Sequence, residues 1–269
     1  MRRLVLILIF FALSGSVSGQ TWEFGGFLGG SGYMGDINPV KPYKLTDPAF
    51  GAQVKRNFDP NWSAKLNFMY GTVRAKDASS SNSYQRDRNL DFRSPITELS
   101  MQVEFNLFRY SAGADFGYAT RKLSPYLFTG FGSFSFNPIT DDDLGNEVEL
   151  RLLMTENVAY KKHALSVPYG AGIKYNIGGN FTLVGEIGFR TTFTDYLDDI
   201  SGRYIDFNRA PGDPSYVEPA SSLTSILADR SAIKNQGGSQ RGDFRPRDTY
   251  IFSGLSLTYT FVPIKCPTF

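Results

Sequence analysis

The sequence predicts an all-β protein: an eight-stranded antiparallel transmembrane β-barrel with short periplasmic turns and long extracellular loops. Three observations support this fold class. Apolar residues alternate along several segments, the charges within those segments share the opposite face, and the connections are either very short or very long. Because successive strand side chains point to opposite faces, such segments suit a barrel that turns its apolar face to lipid and its polar face to the lumen.

The clearest alternation runs through residues 181–193. One face reads Phe, Leu, Gly, Ile, Phe, Thr, Phe, whereas the other face carries Glu186 and Arg190. A soluble barrel would turn its apolar face inward and would cover its outside with charge. Here the charges are few, of both signs and confined to one face, which favours lipid on the outside.

The first residues predict a secretory signal peptide over 1–19. A basic start at residues 1–3 is followed by apolar residues 4–13 and by small residues at 17–19. A membrane-spanning helix needs about 20 apolar residues, so this apolar segment is too short to span. Residues 20–269 are predicted to form one barrel domain in the cell outer membrane, since no linker or charge block divides them.

Eight segments have the length and alternation that a tilted membrane strand requires. These segments are residues 22–33, 49–58, 62–73, 96–108, 125–136, 165–177, 181–193 and 250–261. A barrel of eight strands is just wide enough for side chains to fill its interior. We therefore expect a closed interior, with an open pore as the alternative.

The connections between these segments predict the orientation. Asp59-Pro60-Asn61 and Gly178-Gly179-Asn180 are tight-turn sequences, and we place them in the periplasm with both termini. The long connections 75–95, 137–164 and 194–249 are polar and predicted to be irregular, and we place them outside the cell together with the shorter connection 34–48. The connection 109–122 departs from this pattern, because it should be a periplasmic turn and yet is long.

Assigning faces strand by strand gives two sets of positions. The lipid-facing set includes Trp22, Phe24, Leu28, Leu66, Phe68, Tyr70, Leu99, Val103, Phe105, Val167, Tyr169, Ile173, Tyr175, Leu255, Leu257 and Tyr259. The charges predicted to face the lumen are Glu23, Lys55, Lys65, Glu98, Glu104, Lys174, Glu186 and Arg190. Charges in so narrow a space are costly unless they are paired, so we expect these residues to form a closed charge network.

Composition and motifs argue against several functions. The net charge is +2, so no broad basic face predicts nucleic-acid binding. His163 is the only histidine, and the sequence offers no orienting partner for a nucleophile and its base. There is no nucleotide loop, zinc-ligand spacing or nucleophile elbow. We therefore expect no enzyme activity, no cofactor and no small-molecule substrate. The predicted lipid-facing surface implies that outer-membrane lipids are one partner.

Four carboxylates near the outer strand ends leave a metal site open as an alternative. Asp195, Asp198 and Asp199 follow the seventh segment, and Asp36 follows the first. Barrel closure places the first strand only two strands from the seventh, and hard cations such as calcium need several oxygens at once. We nevertheless predict no metal ligands, because a glycine-bearing calcium loop is absent and such side chains commonly accept backbone N–H bonds in turns.

Several short motifs resemble those of the PorG family. They are Tyr33-Met34-Gly35-Asp36, Ile96-Thr97-Glu98-Leu99-Ser100, Pro125-Tyr126-Leu127-Phe128-Thr129-Gly130, the run 192–199 (TFTDYLDD) and the run 254–261 (GLSLTYTF). PorG proteins are small outer-membrane barrels of Bacteroidota associated with the type IX secretion and gliding apparatus. The resemblance implies an accessory role in type IX secretion beside a periplasmic ring of lipoproteins. The alternative is a generic structural barrel similar to small OmpA-like barrels, without a secretion role.

The long periplasmic connection is the predicted docking surface for that ring. It carries the aromatic residues Tyr110, Phe116 and Tyr118, with Arg121 near its end. Aromatic anchors and arginine are enriched in protein interfaces. The alternative is that these aromatic residues only extend the fourth and fifth strands beyond the bilayer.

Overall fold

The computed structural model describes residues 21–39, 44–110, 121–207, 209, 211–214, 216–243 and 245–261. The predicted signal peptide lies outside the described residues. The strands are β1 (Thr21–Met34), β2 (Leu45–Asn57), β3 (Trp62–Lys76), β4 (Asp91–Asn106), β5 (Leu123–Phe136), β6 (Ile139–Asp141), β7 (Glu147–Glu149), β8 (His163–Gly178), β9 (Phe181–Thr192) and β10 (Thr249–Phe261). Short helices cover Ser83–Arg88, Leu150–Leu153 and Thr224–Ala228, and a 3-10 turn covers Asp77–Ser79.

Eight of these strands close into an antiparallel barrel. The order β3-β2-β1-β10-β9-β8-β5-β4 is completed by pairing between β3 and β4. Each predicted segment corresponds to one barrel strand, so the predicted fold class is confirmed. The remaining strands, β6 and β7, form a hairpin that pairs with β4 through Arg93 and Ile139.

The strands extend further than predicted at the long-loop end. β2 begins at Leu45 rather than at residue 49, β4 begins at Asp91 rather than at residue 96, and β3 continues to Lys76. These added residues pair with their neighbours, for example Lys76 with Asp91. Apolar alternation marks only the part of a strand that faces lipid, whereas the hydrogen-bonded ladder continues beyond it.

The outer surface carries the predicted apolar band. Among the predicted lipid-facing residues, Phe105 and Val167 are half-buried and the others are exposed. Near the short-turn end, Trp62 packs on Phe105 with ring centroids 4.7 Å apart, and Phe181 packs on Tyr259 at 5.2 Å. An apolar band with aromatic residues at its edge is the lipid-facing surface of an outer-membrane barrel.

A side-chain cap stabilises one of the two tight turns, and a glycine permits the other. Asp59 Oδ1 accepts the backbone N–H groups of Asn61 and Trp62, at 2.7 and 3.0 Å. In the other turn Gly179 has a φ of +56°, a left-handed conformation that favours glycine. Both turns therefore reverse the chain within a few residues.

The long connections form a folded cap rather than irregular loops, which corrects our expectation. We use the name "cap" for the described residues between 35 and 39, 77 and 90, 137 and 162, and 193 and 248. Their apolar side chains join the buried aromatic residues at the outer end of the lumen: Ile37, Leu90, Leu150, Leu153, Leu197, Ile200 and Leu227. Within the described chain, no helix has the length and hydropathy to cross a membrane.

Chemical labelling will test the predicted orientation. In a Cys266→Ser background, we expect Ser222→Cys to react with a membrane-impermeant maleimide on intact cells, because Ser222 is exposed in the cap. Asp59→Cys, in a turn at the opposite end, should react only after the outer membrane is permeabilised. The reverse pattern would show that the cap faces the periplasm.

Candidate functional site

The lumen near the short-turn end contains a charge network centred on Glu104. The Glu104 carboxylate lies 2.7 Å from Lys174 Nζ, 3.1 Å from Lys65 Nζ and 3.7 Å from Lys55 Nζ. Lys55 and Lys65 are directly opposite each other on β2 and β3, an arrangement that repels unless an acid lies between them. Glu104 therefore contacts both lysines of this pair and also binds a third lysine, Lys174 of β8.

Two further acids complete this network. Glu23 lies 2.7 Å from Lys55 Nζ, and Glu186 lies 2.7 Å from Lys65 Nζ. Glu186 also accepts a hydrogen bond from the Tyr126 hydroxyl at 2.5 Å. Because β3 and β9 are four strands apart in the ring of eight, the Lys65 and Glu186 pair joins opposite walls of the barrel.

A second layer lies closer to the cap. Arg190 Nε is 3.1 Å from Glu98 Oε2, and the Tyr250 hydroxyl donates to the same oxygen at 2.7 Å. The Arg190 guanidinium lies 5.0 Å from the ring centre of Phe252. The structure thus brings all eight predicted lumen charges into ion pairs, and aromatic side chains fill the space above them.

The predicted docking residues divide into three groups. Tyr110 is buried, and its hydroxyl lies 2.6 Å from Thr182 Oγ1 at the short-turn end of the lumen. Tyr110 occupies the short-turn end of the lumen, so it is not part of an exposed docking surface. Arg121 is exposed, with its guanidinium 4.4 Å from the ring centre of Phe108. Phe116 and Tyr118 lie outside the described residues.

At the outer end of β1, Tyr33 joins carboxylates from two other segments. Its buried hydroxyl donates to Asp198 and lies 3.4 Å from Asp248 Oδ1. A Cβ atom on Gly35 would collide with the Tyr33 hydroxyl and with Asp248. A residue with a side chain at position 35 would therefore displace Tyr33 or Asp248, which explains the glycine two residues after Tyr33 in the first motif. We call Tyr33, Asp36, Asp195, Asp198 and Asp248 the carboxylate cluster.

Burial raises the pKa values of the acids in this cluster. Desolvation, followed by the nearby Asp198 charge, raises the pKa of Asp36 to about 9. Desolvation also raises the pKa of Asp195 to about 6 and holds the pKa values of Asp198 and Asp248 well above their usual range. At neutral pH some of these carboxyl groups are therefore protonated and uncharged.

Three of these acids have the geometry of part of a cation site. Asp36, Asp195 and Asp248 each place one carboxylate oxygen within 4.8 Å of the others. Hard cations such as calcium use oxygen ligands, but calcium takes six to eight of them. The cluster would supply only part of that shell.

The other predicted turn-capping acids have different roles. Asp198 Oδ1 accepts the backbone N–H of Ile200 at 3.0 Å, as expected of a turn. Asp199, however, accepts hydrogen bonds from the hydroxyls of Thr155 and Tyr160, the latter at 2.6 Å. Asp199 therefore joins two segments of the cap instead of capping its own turn.

Two buried arginines hold the cap together, and sequence reasoning missed both. Arg88 donates to both oxygens of Asp77, at 2.7 and 2.8 Å. Arg241 donates to Glu156 at 2.9 Å and to the backbone oxygen of Asp199 at 2.7 Å. The leucines and isoleucines scattered through the long connections were the available indication that these segments fold.

His163, the candidate for catalysis, is the first residue of β8. It is exposed and lies opposite Ser135 of β5 in the sheet register. It is therefore remote along the strand from Lys174, the lumen charge that β8 contributes.

The closed barrel, its apolar outer band, its ion-paired lumen and its folded cap define an outer-membrane β-barrel protein. The chain belongs to the family defined by a domain of unknown function, DUF6089, whose model matches residues 2–209. No curated protein matches the chain.

Several solved outer-membrane proteins are similar in structure. Ail, the attachment invasion locus protein of Yersinia pestis, has a TM-score of 0.41 and 13% identity, over 91% of this chain and 100% of that chain. OprG from Pseudomonas aeruginosa has a TM-score of 0.40 and 10% identity, over 92% and 98%. A major outer membrane protein from Thermus thermophilus has a TM-score of 0.40 and 13% identity, over 91% and 100%.

Proposed function

We propose that this chain is a non-enzymatic accessory component of a type IX protein secretion system and docks a periplasmic ring of lipoproteins. The observation that carries the proposal is the filled lumen. Lys65, Glu186 and Glu104 connect opposite walls through contacts of 2.7 to 3.1 Å, so the barrel offers no conduit at this level. A barrel closed in this way acts through the surfaces at its two ends.

Two of the PorG-like motifs, on whose resemblance this proposal rests, contact each other in the structure. Tyr33 and Asp36 of the first motif lie in the carboxylate cluster with Asp198 of the run 192–199. Residues far apart in the sequence therefore form one packed unit at the base of the cap. The packing gives both motifs a structural role in this chain.

The periplasmic end limits where a ring could dock. Two of its turns are tight, and Tyr110 anchors the start of the third connection inside the lumen. Arg121 and Phe108 remain exposed beside this anchor. The docking surface proposed here therefore consists of Phe108, Arg121 and residues 111–119.

A replacement of residues 111–119 by a Gly-Asn turn tests this surface. We expect the variant barrel to insert and to remain heat-modifiable on gels, because Tyr110 and the lumen network are retained. Ring lipoproteins should no longer co-purify in mild detergent, and type IX export should fall to the level of a deletion strain.

The matched control shortens the outer hairpin, replacing residues 142–145 by the same turn. This control should keep both lipoprotein binding and export. If the 111–119 variant also keeps both, the docking proposal is wrong, and the OmpA-like structural barrel becomes the better description.

A further inference from the structure

A basic cleft lies at the outer end of β2 and β3. Its lining includes the cations Lys44, Arg74 and Lys76 and the hydroxyl-bearing residues Ser79, Ser80 and Ser81. The cleft opens to solvent, and its cavity volume is about 40 Å³. We use the name "basic cleft" for these six residues. None of them belongs to the lumen network or to the proposed docking surface.

The position of the cleft relative to the lipid band follows from the alternation of β3. Leu66, Phe68 and Tyr70 are exposed on the outward face of this strand. Arg74 and Lys76 continue the same face, because both are an even number of residues from Tyr70. At roughly 3.3 Å per residue, Arg74 lies about 13 Å further along the strand than Tyr70. The cleft is therefore at the level of the lipid headgroups and faces them.

The cleft retains positive charge. Arg74 is paired with Asp47, with its Nε 2.7 Å from Asp47 Oδ2. Lys76 is 3.8 Å from Asp91, but Asp91 is held more closely by Arg230, at 2.6 Å.

The remaining cation, Lys44, is exposed. Across the part of the chain that the structure describes, no carboxylate lies within ion-pair distance of Lys44. Lys44 and Lys76 therefore both have capacity for an external anion.

Hydrogen bonds fix the turn that carries Ser79 and Ser80 in the cleft. Ser79 Oγ donates to the backbone oxygen of Lys76 at 2.8 Å, and Ser80 Oγ donates to Gln85 Oε1 at 2.5 Å. The backbone N–H of Asn82 in turn donates to Ser80 Oγ at 3.0 Å. The hydroxyl protons of Ser79 and Ser80 are thus used within the turn, and the donors for the acceptor oxygens of a phosphate are the ammonium groups of Lys44 and Lys76 beside it.

We propose that the basic cleft binds a phosphate group of a glycolipid in the outer leaflet. The apolar surface directly below the cleft favours a lipid over a free anion. Phe50 and Tyr70 pack against each other there with ring centroids 5.1 Å apart, and both are exposed on the lipid face. A lipid whose phosphate occupies the cleft can lay its acyl chains on this pair.

Binding of a phosphorylated glycolipid will test the proposal. The purified full-length protein in detergent is titrated with bis-phosphorylated lipid A and with the same lipid after removal of both phosphates, and complexes are counted by native mass spectrometry. We expect the phosphorylated form to bind at least tenfold more tightly. The substitutions Lys44→Gln and Lys76→Gln, made singly and together, should each reduce that affinity several-fold, because hydrogen bonds to charged groups are the stronger class.

The matched control is Lys161→Gln, an exposed lysine just before β8. Strand β8 is four strands from β2 in the ring of eight, so this lysine is on the opposite side of the barrel, and its loss should leave the affinity unchanged. Equal binding of both lipid forms, or an equal loss with Lys161→Gln, would overturn the proposal. Displacement of the lipid by an equal concentration of inorganic phosphate would also overturn it, since the site would then bind a free anion.

Discussion

Replacing Glu104 by Gln should reduce the free energy of unfolding by about 3–5 kcal/mol, the usual cost of removing one partner from a buried ion pair. Glu104 contacts three lysines within 3.7 Å, so its neutralisation leaves excess positive charge in the lumen. Urea unfolding of the protein in lipid vesicles, followed by circular dichroism, measures the change.

Two comparisons separate a charge effect from general damage. Glu186→Leu should also lower the unfolding midpoint, far more than Thr191→Leu on the lipid face does. Lys174→Met should cost less in the Glu104→Gln background than in the wild-type protein, because residues in one network are energetically coupled. Equal effects of Glu186→Leu and Thr191→Leu, or steady ion conductance of the wild-type protein in planar bilayers, would contradict a filled barrel.

The second large effect concerns pH and the carboxylate cluster. Burial raises the pKa of Asp36 to about 9, whereas an aspartate in the unfolded chain has a pKa near 3.9. The folded protein therefore binds more protons than the unfolded chain between these values. It follows that stability falls as the pH rises from about 4 to about 9, and that the full penalty applies above pH 9.

Asp36→Asn should remove this part of the pH dependence. Each unit by which the folded pKa is raised corresponds to about 1.4 kcal/mol, so the variant should be more stable than the wild type at pH 9 and nearly equal to it at pH 5. Unfolding midpoints at pH 5, 7 and 9 provide the measurement. Asp142→Asn, at the exposed outer hairpin, is the control and should not alter the slope. A wild-type protein that gains stability toward pH 9 would contradict the assignment.

The lumen could be predicted from the sequence, because alternation assigns each strand residue to one of only two faces. Glu23 and Arg190 are far apart in the chain, yet both had to face inward once their own segments were identified as strands. Closure of eight strands then left so little space that pairing was required. The individual ion pairs, such as Lys65 with Glu186 across the barrel, could not be predicted without the register between strands.

The cap could not be predicted in the same way. Its apolar residues follow no period of 2 or 3.6, so Leu197 and Ile200 resemble isolated residues in a polar loop. Arg88 and Arg241 resemble ordinary surface charges, and their burial depends on partners more than ten residues away. Tyr110 was assigned to the surface because the predicted fourth segment ends at residue 108, and beyond that point no alternation indicates the direction of a side chain.

The packed cap limits where this protein can change during evolution. In many barrels the outer loops accept insertions freely, because few buried contacts hold them. Here a change near Leu150 or Arg241 would disturb the same core that closes the outer end of the barrel. The hairpin tip between β6 and β7 differs, since Asp142 caps it locally and Leu144 is 87% exposed. Sequence drift, and any recognition by antibodies or phages that follows it, should therefore concentrate at such tips while the rest of the exposed surface stays constant.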